Sequence, residues 1–270
     1  MNHPVNIAHR GARSLAPENT LLSGELGLAH GADIWEVDVA MSMDGIPYLL
    51  HDDTLARTTD VALRYPDRAP WQSGEFSWAE LQQLDAGSWF LQQDPFKQIK
   101  VGKVDRALQR RIAGEALPTL RDALSFTRDA NWWINVELKD LRGTIGDSTI
   151  VATAWRLVQQ MGMEERVIFS SFNHDYLRAL RSYSSRLSLG ALVSIASNDP
   201  VALLAELDAQ AYHPPLYDLP TVEQVDALHQ ADKQVFVWTV NDVGSARLVL
   251  KRGVDGLFTD FPQDWGLLSS

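Results

Sequence analysis

The 270-residue chain contains no cysteine, which removes disulfide frameworks, thiolate nucleophiles, iron-sulfur clusters and cysteine-bound zinc together. Basic residues are few: 24 Lys and Arg stand against 35 Asp and Glu, for a formal charge of −11. A chain this acidic is poorly suited to neutralising a run of phosphates, so neither nucleic acid nor an anionic membrane surface is an expected partner. A small anionic ligand met by a local cation remains open. No apolar run approaches the roughly 18 residues of a membrane span, and the first ten residues carry neither a signal-peptide core nor a transit-peptide pattern. A cytoplasmic protein with no membrane span is the expectation.

What is present is a rhythm of short apolar runs rich in β-branched and aromatic residues, most followed by a segment of helical periodicity. The runs predict strands at 5–9, 34–39, 133–138, 167–171, 188–193, 211–213, 235–240 and 256–258, with helices at 20–30, 120–129, 148–161, 175–182, 201–207, 222–231 and 244–252. Eight strand-helix units in one chain of this length point to an α/β fold, a closed (β/α)8 TIM barrel, in a single domain over 1–270. The segment 46–51 is extended as well, but the hairpin signal Asp44-Gly45 ties it closely to the second strand. Parallel neighbours need a long crossover, so it should run antiparallel and open an insertion. That insertion, about 52–117, lacks the strand-helix rhythm and carries Trp71, Phe76, Trp78, Trp89, Phe90 and Phe96; it reads as a small aromatic-rich subdomain emerging from the catalytic face, the plainer alternative being a long surface excursion with a minor core of its own. Arg106, Arg110 and Arg111 read as a solvated helix face.

Reactive side chains of a barrel enzyme sit where strands end. Polar residues collect there in this sequence: His9 and Arg10, Glu36 and Asp38, His51, Glu137 and Lys139, and Trp238 on the seventh of the eight predicted units. Because strand side chains alternate, Glu36 and Asp38 share a face, as do Glu137 and Lys139. If that face is the interior, three carboxylates converge. They must then be protonated, paired or metal-bound. Lys139 offsets one charge but not three, so a hard divalent cation, Mg²⁺ or Ca²⁺, is the expected cofactor. Each acid taken alone would more often pair with a base at the surface; three at strand ends change that balance. His9 and His51 titrate near neutrality and stand beside charged residues at the same rim, which fits proton transfer. His3, His30, His174, His213 and His229 lack such a setting and read as structural or solvent-facing, His213 at the end of the sixth predicted strand among them. Arg10 and Lys139 bring fixed positive charge, which implies an anionic small-molecule substrate. Glu18 is the expected ion-pair partner that orients Arg10.

The ordered strings HRG (9–11), PENT (17–20), EVDV (36–39), DGIPYLLHD (44–52), TLARTTD (54–60), NVELK (135–139), SSF (170–172), VWTVN (237–241) and DGLFTDFP (255–262) resemble the glycerophosphodiester phosphodiesterase family, in its bacterial cytosolic form. The likeness runs from Ile7 to Pro262. It implies a TIM barrel with an insertion after the second strand, and hydrolysis of glycerophosphodiesters to sn-glycerol 3-phosphate and an alcohol with a divalent metal. Carried over by position, it implies metal ligation by Glu36, Asp38 and Glu137, acid and base roles for His9 and His51 through a cyclic phosphate, and phosphate contacts from Arg10 and Lys139. Trp238 would help wall the pocket. The chain departs from the family pattern at 61–70 and 97–115, both in the insertion. Rival readings of the same residues are a lysophospholipase D-like or sugar phosphodiester hydrolase, a metal-dependent lyase or aldolase using Lys139, and a non-catalytic phosphate-binding barrel.

Overall fold

The computed structural model describes residues 3–268; Met1, Asn2, Ser269 and Ser270, the ends of the expected domain, lie outside the described residues. Nine strands form one sheet: β1 (Val5–Ala8), β2 (Ile34–Met41), β3 (Pro47–Leu49), β4 (Trp133–Leu138), β5 (Val167–Ser171), β6 (Ser188–Leu192), β7 (Ala211–His213), β8 (Gln234–Val237) and β9 (Gly256–Thr259). Eight of them run parallel in the order β1-β9-β8-β7-β6-β5-β4-β2 and close through β1–β2, while β3 is the antiparallel hairpin partner of β2. This is the expected closed eight-stranded parallel barrel. Around it lie α1 (Leu21–Ala29), α2 (Leu120–Asp129), α3 (Ile150–Gln160), α4 (His174–Tyr183), α5 (Pro200–Leu207), α6 (Val222–Gln230), α7 (Val243–Leu250) and the short α8 (Trp265–Leu268).

Side-chain alternation divides the strands between two cores. Val5, Ile7, Ile34, Ile168, Ala211, Phe236 and Phe258 meet inside the barrel. The residues between them, such as Val37, Ile134, Val136, Phe169 and Leu257, pack outward in a larger cluster with Leu124, Trp155, Leu177 and Val249 of the helix layer. The helices start abruptly because the loops end in capping side chains: Thr20, Thr119 and Thr221 form capping boxes, and Asn173, Asp199 and Asp242 each accept a helix N–H. Each such cap contributes on the order of 1 kcal/mol. The order strand, loop, cap, helix places every βα loop on one face.

Among the barrel strands, two ends differ from the sequence reading by more than one residue, each for a local reason. β2 continues to Met41 because Val39, Ala40 and Met41 pair with Leu49, Tyr48 and Pro47 of the hairpin. β8 stops at Val237 rather than Val240, because the Trp238 backbone pairs instead with the β7 loop: its N–H donates to the Pro214 carbonyl at 3.1 Å and its carbonyl accepts from Leu216 at 2.6 Å. Between β3 and α2 the chain forms short helices whose apolar residues join two clusters. Phe76, Leu81 and Leu84 pack with Ala40 and Tyr48 of the β2–β3 hairpin, and Trp89, Phe90, Val104 and Ile112 pack with Ala12, Leu15 and Leu22 of the β1 loop and α1. The first cluster is drawn mostly from the inserted segment and is closed by the hairpin; the second joins the segment to the β1 loop and α1.

One barrel residue stands out. His213 is wholly buried, and neither ring nitrogen has a hydrogen-bond partner. Its ring packs edge-on against Phe236 and Phe258 at 5.6 and 5.2 Å. It also lies over Gly190, where a Cβ would fall 2.3 Å from its Cε1. Burial holds the imidazole neutral, its pKa pushed down to about 3. The unfolded chain protonates this residue near pH ~6.5 and the folded chain does not, so stability falls as pH drops from ~6.5 toward ~3. Over the two units down to pH 4.5 the loss is about 2–3 kcal/mol. Urea unfolding of wild type and His213→Leu at pH 7 and 4.5 is expected to show the variant losing less stability by about that amount; equal losses would contradict it.

Candidate active site

The corner after β1 sets the site. Arg10 takes a left-handed backbone, φ 56°, as does Asn19 at 58°. Such conformations are costly for residues with a Cβ and concentrate at functional sites. Gly11 follows at φ 80°, and a Cβ there would lie 2.3 Å from Ser23 Oγ, so the third residue of HRG admits no side chain. The turn aims the Arg10 N–H at Glu36 Oε2, 2.7 Å away. The PENT loop folds back over it. Glu18 Oε1 accepts from Arg10 Nη1 at 2.8 Å, Asn19 bonds both the carboxylate and the backbone N–H of Asp38, and Thr20 caps α1. Glu18 thus pairs with Arg10 as expected, and it also receives Arg13 and Arg57.

Glu36, Asp38 and Glu137 come together. Each is buried, and one carboxylate oxygen from each lies within 4.8 Å of the others. The parallel register explains it: Asp38 pairs with Glu137 across β2–β4, and Glu36 sits one inward position below Asp38. Two cations reach the group. Lys139 Nζ lies 2.8 Å from Glu137 and 3.5 Å from Asp38, and Arg10 Nε lies 3.0 Å from Asp38 Oδ2 at an angle too poor for a hydrogen bond. The result is uneven. Although burial pushes every member upward, Arg10, Lys139 and the Asn19 bond hold Asp38 below the usual carboxylate range. Burial and the neighbouring Asp38 and Glu137 charges drive Glu36 well above it, and burial raises Glu137 against the pull of Lys139. Glu36 Oε1 and the nearby Asn135 Oδ1 are buried acceptors with no hydrogen-bond partner. Converging hard oxygens, unpartnered acceptors and a carboxylate reluctant to ionise fit a divalent cation. Lys139, held charged by these acids, has none of the neutral amine character that a Schiff-base lysine needs.

The two imidazoles are held by the same device. His9 Nδ1 is 2.7 Å from Asp260 Oδ1, and His51 Nδ1 is 2.8 Å from Asp52 Oδ1. Each carboxylate fixes a ring through Nδ1 and leaves Nε2 for a ligand. Burial and the Arg10 charge lower the His9 pKa and keep the ring neutral, although Asp260 opposes them. Asp260 is itself buried, which raises it, but its bonds to His9 and Asn241 and the Arg13 charge bring it down to about 2. Asp52 is anchored by Arg57.

A cavity of about 180 Å³ connects these groups. His9, Arg10, Glu36, His51, Asn135 and Glu137 line one side, and Phe172, Leu192, Trp238 and Phe258, with Ser170, line the other. The indole of Trp238 donates to the His213 carbonyl at 2.9 Å and meets Phe172 edge-on at 5.6 Å. Of the nine side chains singled out from sequence, six line the cavity. Asp38, Lys139 and Glu18 do not line it but pair with Arg10 or Glu137, which do. The residues that sequence reasoning did not single out are Asp52, Asp260, Asn241, Asn19, Asn135 and Arg57. A larger cleft of about 810 Å³, lined by Arg128, Trp155, Arg166, Tyr183 and Arg186 among others, opens at the opposite end of the barrel and contains none of the residues singled out for chemistry.

A family model described as the glycerophosphoryl diester phosphodiesterase family matches residues 9–264. A glycerophosphodiester phosphodiesterase of Caldanaerobacter subterraneus subsp. tengcongensis is 30% identical over 257 residues, covering 95% of this chain and 94% of the relative. The glycerophosphoinositol inositolphosphodiesterase of Mus musculus is 32% identical over 95% of this chain, which spans 46% of that longer protein. Among solved structures, a phosphodiesterase of Oleispira antarctica in complex with the product sn-glycerol-3-phosphate superposes with a TM-score of 0.82 at 30% identity, covering 99% of this chain and 98% of that one.

Ligand binding that relieves the crowded acids should register as stability. Mg²⁺ or Ca²⁺ at a hundred times its Kd should stabilise the wild type by about 2.7 kcal/mol, raising Tm by several degrees. In Glu36→Gln the metal-free Tm should rise and the response to metal should largely vanish. A variant as responsive as the wild type would remove Glu36 from the cation site.

Proposed function

The chain belongs to the glycerophosphoryl diester phosphodiesterase family, and from that premise we propose how its own residues divide the hydrolysis of glycerophosphodiesters to sn-glycerol 3-phosphate and an alcohol. The observation that carries the reading is that two carboxylate-anchored imidazoles line the same small cavity as Glu36 and Glu137 of the acidic trio. Glu36, Asp38 and Glu137 are the side chains that would hold a Mg²⁺ or Ca²⁺ ion, whose chemistry there is to neutralise charge on phosphorus-bound oxygens. Arg10 brings a guanidinium to the polar wall, with Glu18 fixing its direction. Lys139 offsets Glu137 and Asp38, setting the charge of the pocket.

The cavity has two characters, and the substrate has the same two. The phosphodiester lies along the His9, Arg10 and His51 wall, and the carbon skeleton of the glycerol lies against Trp238, Phe172 and Leu192. One imidazole then takes the proton of the adjacent glycerol hydroxyl through Nε2 as that oxygen attacks phosphorus, and the other gives a proton to the departing alcohol. A cyclic phosphate results. Water opens it with the two rings exchanging roles, as microscopic reversibility requires. Asp260 and Asp52 keep each ring in one tautomer and stabilise the imidazolium formed in each half-reaction.

His9→Ala and His51→Ala should each lower turnover by on the order of 10² to 10⁴ if each ring transfers a proton. The assay is release of glycerol 3-phosphate from glycerophosphocholine, glycerophosphoethanolamine and glycerophosphoinositol. Each is run with EDTA, then with Mg²⁺ or Ca²⁺ restored. Near-normal turnover in both variants would end the acid-base assignment, and undiminished activity in protein shown to be metal-stripped would end the cation assignment.

A further inference from the structure

The inserted segment contributes Arg57 to the hydrogen-bond network behind the site. Arg57 lies on the turn after β3 and makes four hydrogen bonds to two different carboxylates. Its Nε and Nη2 donate to Asp52 Oδ2 and Oδ1 at 2.6 and 2.9 Å, and its Nη1 and Nη2 donate to Glu18 Oε2 and Oε1 at 2.9 and 2.7 Å. Asp52 is the acid that orients His51, and Glu18 is the acid that orients Arg10. A planar guanidinium is the side chain able to satisfy two carboxylates from two of its edges. The turn that carries it is itself held: Leu55 N–H donates to the Trp71 carbonyl at 3.0 Å, and Thr59 Oγ1 donates to the Leu55 carbonyl at 2.6 Å. Behind the guanidinium, 5.9 Å away, lies the ring of Trp89, which is packed in the cluster that joins the insertion to the β1 loop.

We propose that Arg57 is a positioning residue that locks the proton-transferring His51 and the phosphate-facing Arg10 into one geometry, and that delivering it is what the insertion does for the reaction. The proposal rests on the roles given above to His51 and Arg10. It follows from connectivity. No other described side chain touches the orienting acid of both groups, and the two acids come from separate loops, after β1 and after β3. Without Arg57, Asp52 keeps only its bond to His51, and the Glu18 carboxylate keeps Arg10 and Arg13. Both orienting acids then gain freedom at once. The expected signature is a joint loss in the chemical step, through His51, and in anion affinity, through Arg10.

The test measures kcat and KM on glycerophosphocholine with saturating Mg²⁺, glycerol 3-phosphate affinity by calorimetry, and thermal midpoint, for Arg57→Gln, Arg57→Lys, Asp52→Asn and His51→Ala. Arg57→Gln should lower kcat by about 10- to 100-fold, the usual cost of losing a partner that orients a functional group, and weaken glycerol 3-phosphate binding several-fold. Asp52→Asn should lower kcat but leave that binding nearly unchanged. The double variant Arg57→Gln/Asp52→Asn should fall no further in kcat than the worse single variant, since both act through His51. Arg57→Lys retains the charge but spans one carboxylate only, so it should recover one of the two losses and not both; it also serves where the Gln variant folds poorly. Folded Arg57 variants with normal kcat and normal glycerol 3-phosphate affinity, beside an inactive His51→Ala, would overturn the proposal and leave the proton-transfer reading intact. An active His51→Ala would overturn that reading and this proposal with it.

Discussion

Three carboxylates, Glu36, Asp38 and Glu137, share one buried point, and the rest of the site is arranged to make that tolerable. Like charges this close in a poorly solvated core raise one another's free energy by several kcal/mol unless a cation or a proton intervenes. Arg10 and Lys139 answer Asp38, and Lys139 answers Glu137. Glu36 receives a backbone N–H but no side-chain cation, and its second oxygen faces no donor. The unmet demand is therefore localised on Glu36, beside both histidines. A dication satisfies it and at the same time brings positive charge to where a phosphodiester would bind.

The fold meets this constraint with short-range means. Parallel register sets Asp38 opposite Glu137, and a hairpin return brings His51 to the same rim. A left-handed turn at Arg10 spends its own backbone N–H on Glu36. The two imidazole-carboxylate pairs reach equivalent arrangements by different routes. His51 and Asp52 are sequence neighbours, whereas His9 and Asp260 meet where β1 and β9, the first and last strands of the chain, pair in the barrel. Barrel closure is thus a condition for the site as well as for stability: with β9 unpaired from β1, His9 loses the acid that fixes its tautomer.

Much of this was legible in the chain because period-two alternation at strand ends is a local signal. It put Glu36 with Asp38 and Glu137 with Lys139 on common faces, and the apolar rhythm gave all eight barrel strands to within a few residues. The same logic extends to Asn135, two positions before Glu137, and to Asp260, two after Phe258, and could have found them. What it could not supply was contact between distant loops. Nothing near Asp260 in sequence points to His9, and nothing near Arg57 points to Glu18. The early end of β8 was hidden for the same reason, since it depends on Pro214 and Leu216 of another loop pairing with Trp238. The aromatic insertion was visible as an irregular segment, but not how its apolar residues divide between a cluster closed by the hairpin and one closed by the β1 loop and α1.

The most direct test of the acid cluster is calorimetric titration of Mg²⁺ or Ca²⁺ into EDTA-stripped protein at mildly acidic pH, in two buffers of different ionisation enthalpy. Because burial pushes Glu36 and Glu137 above the usual carboxylate range, one saturable site per chain should fill with release of protons to the buffer. Only weak, unsaturable heats, or a saturable site whose proton release survives replacement of both glutamates by glutamine, would contradict it.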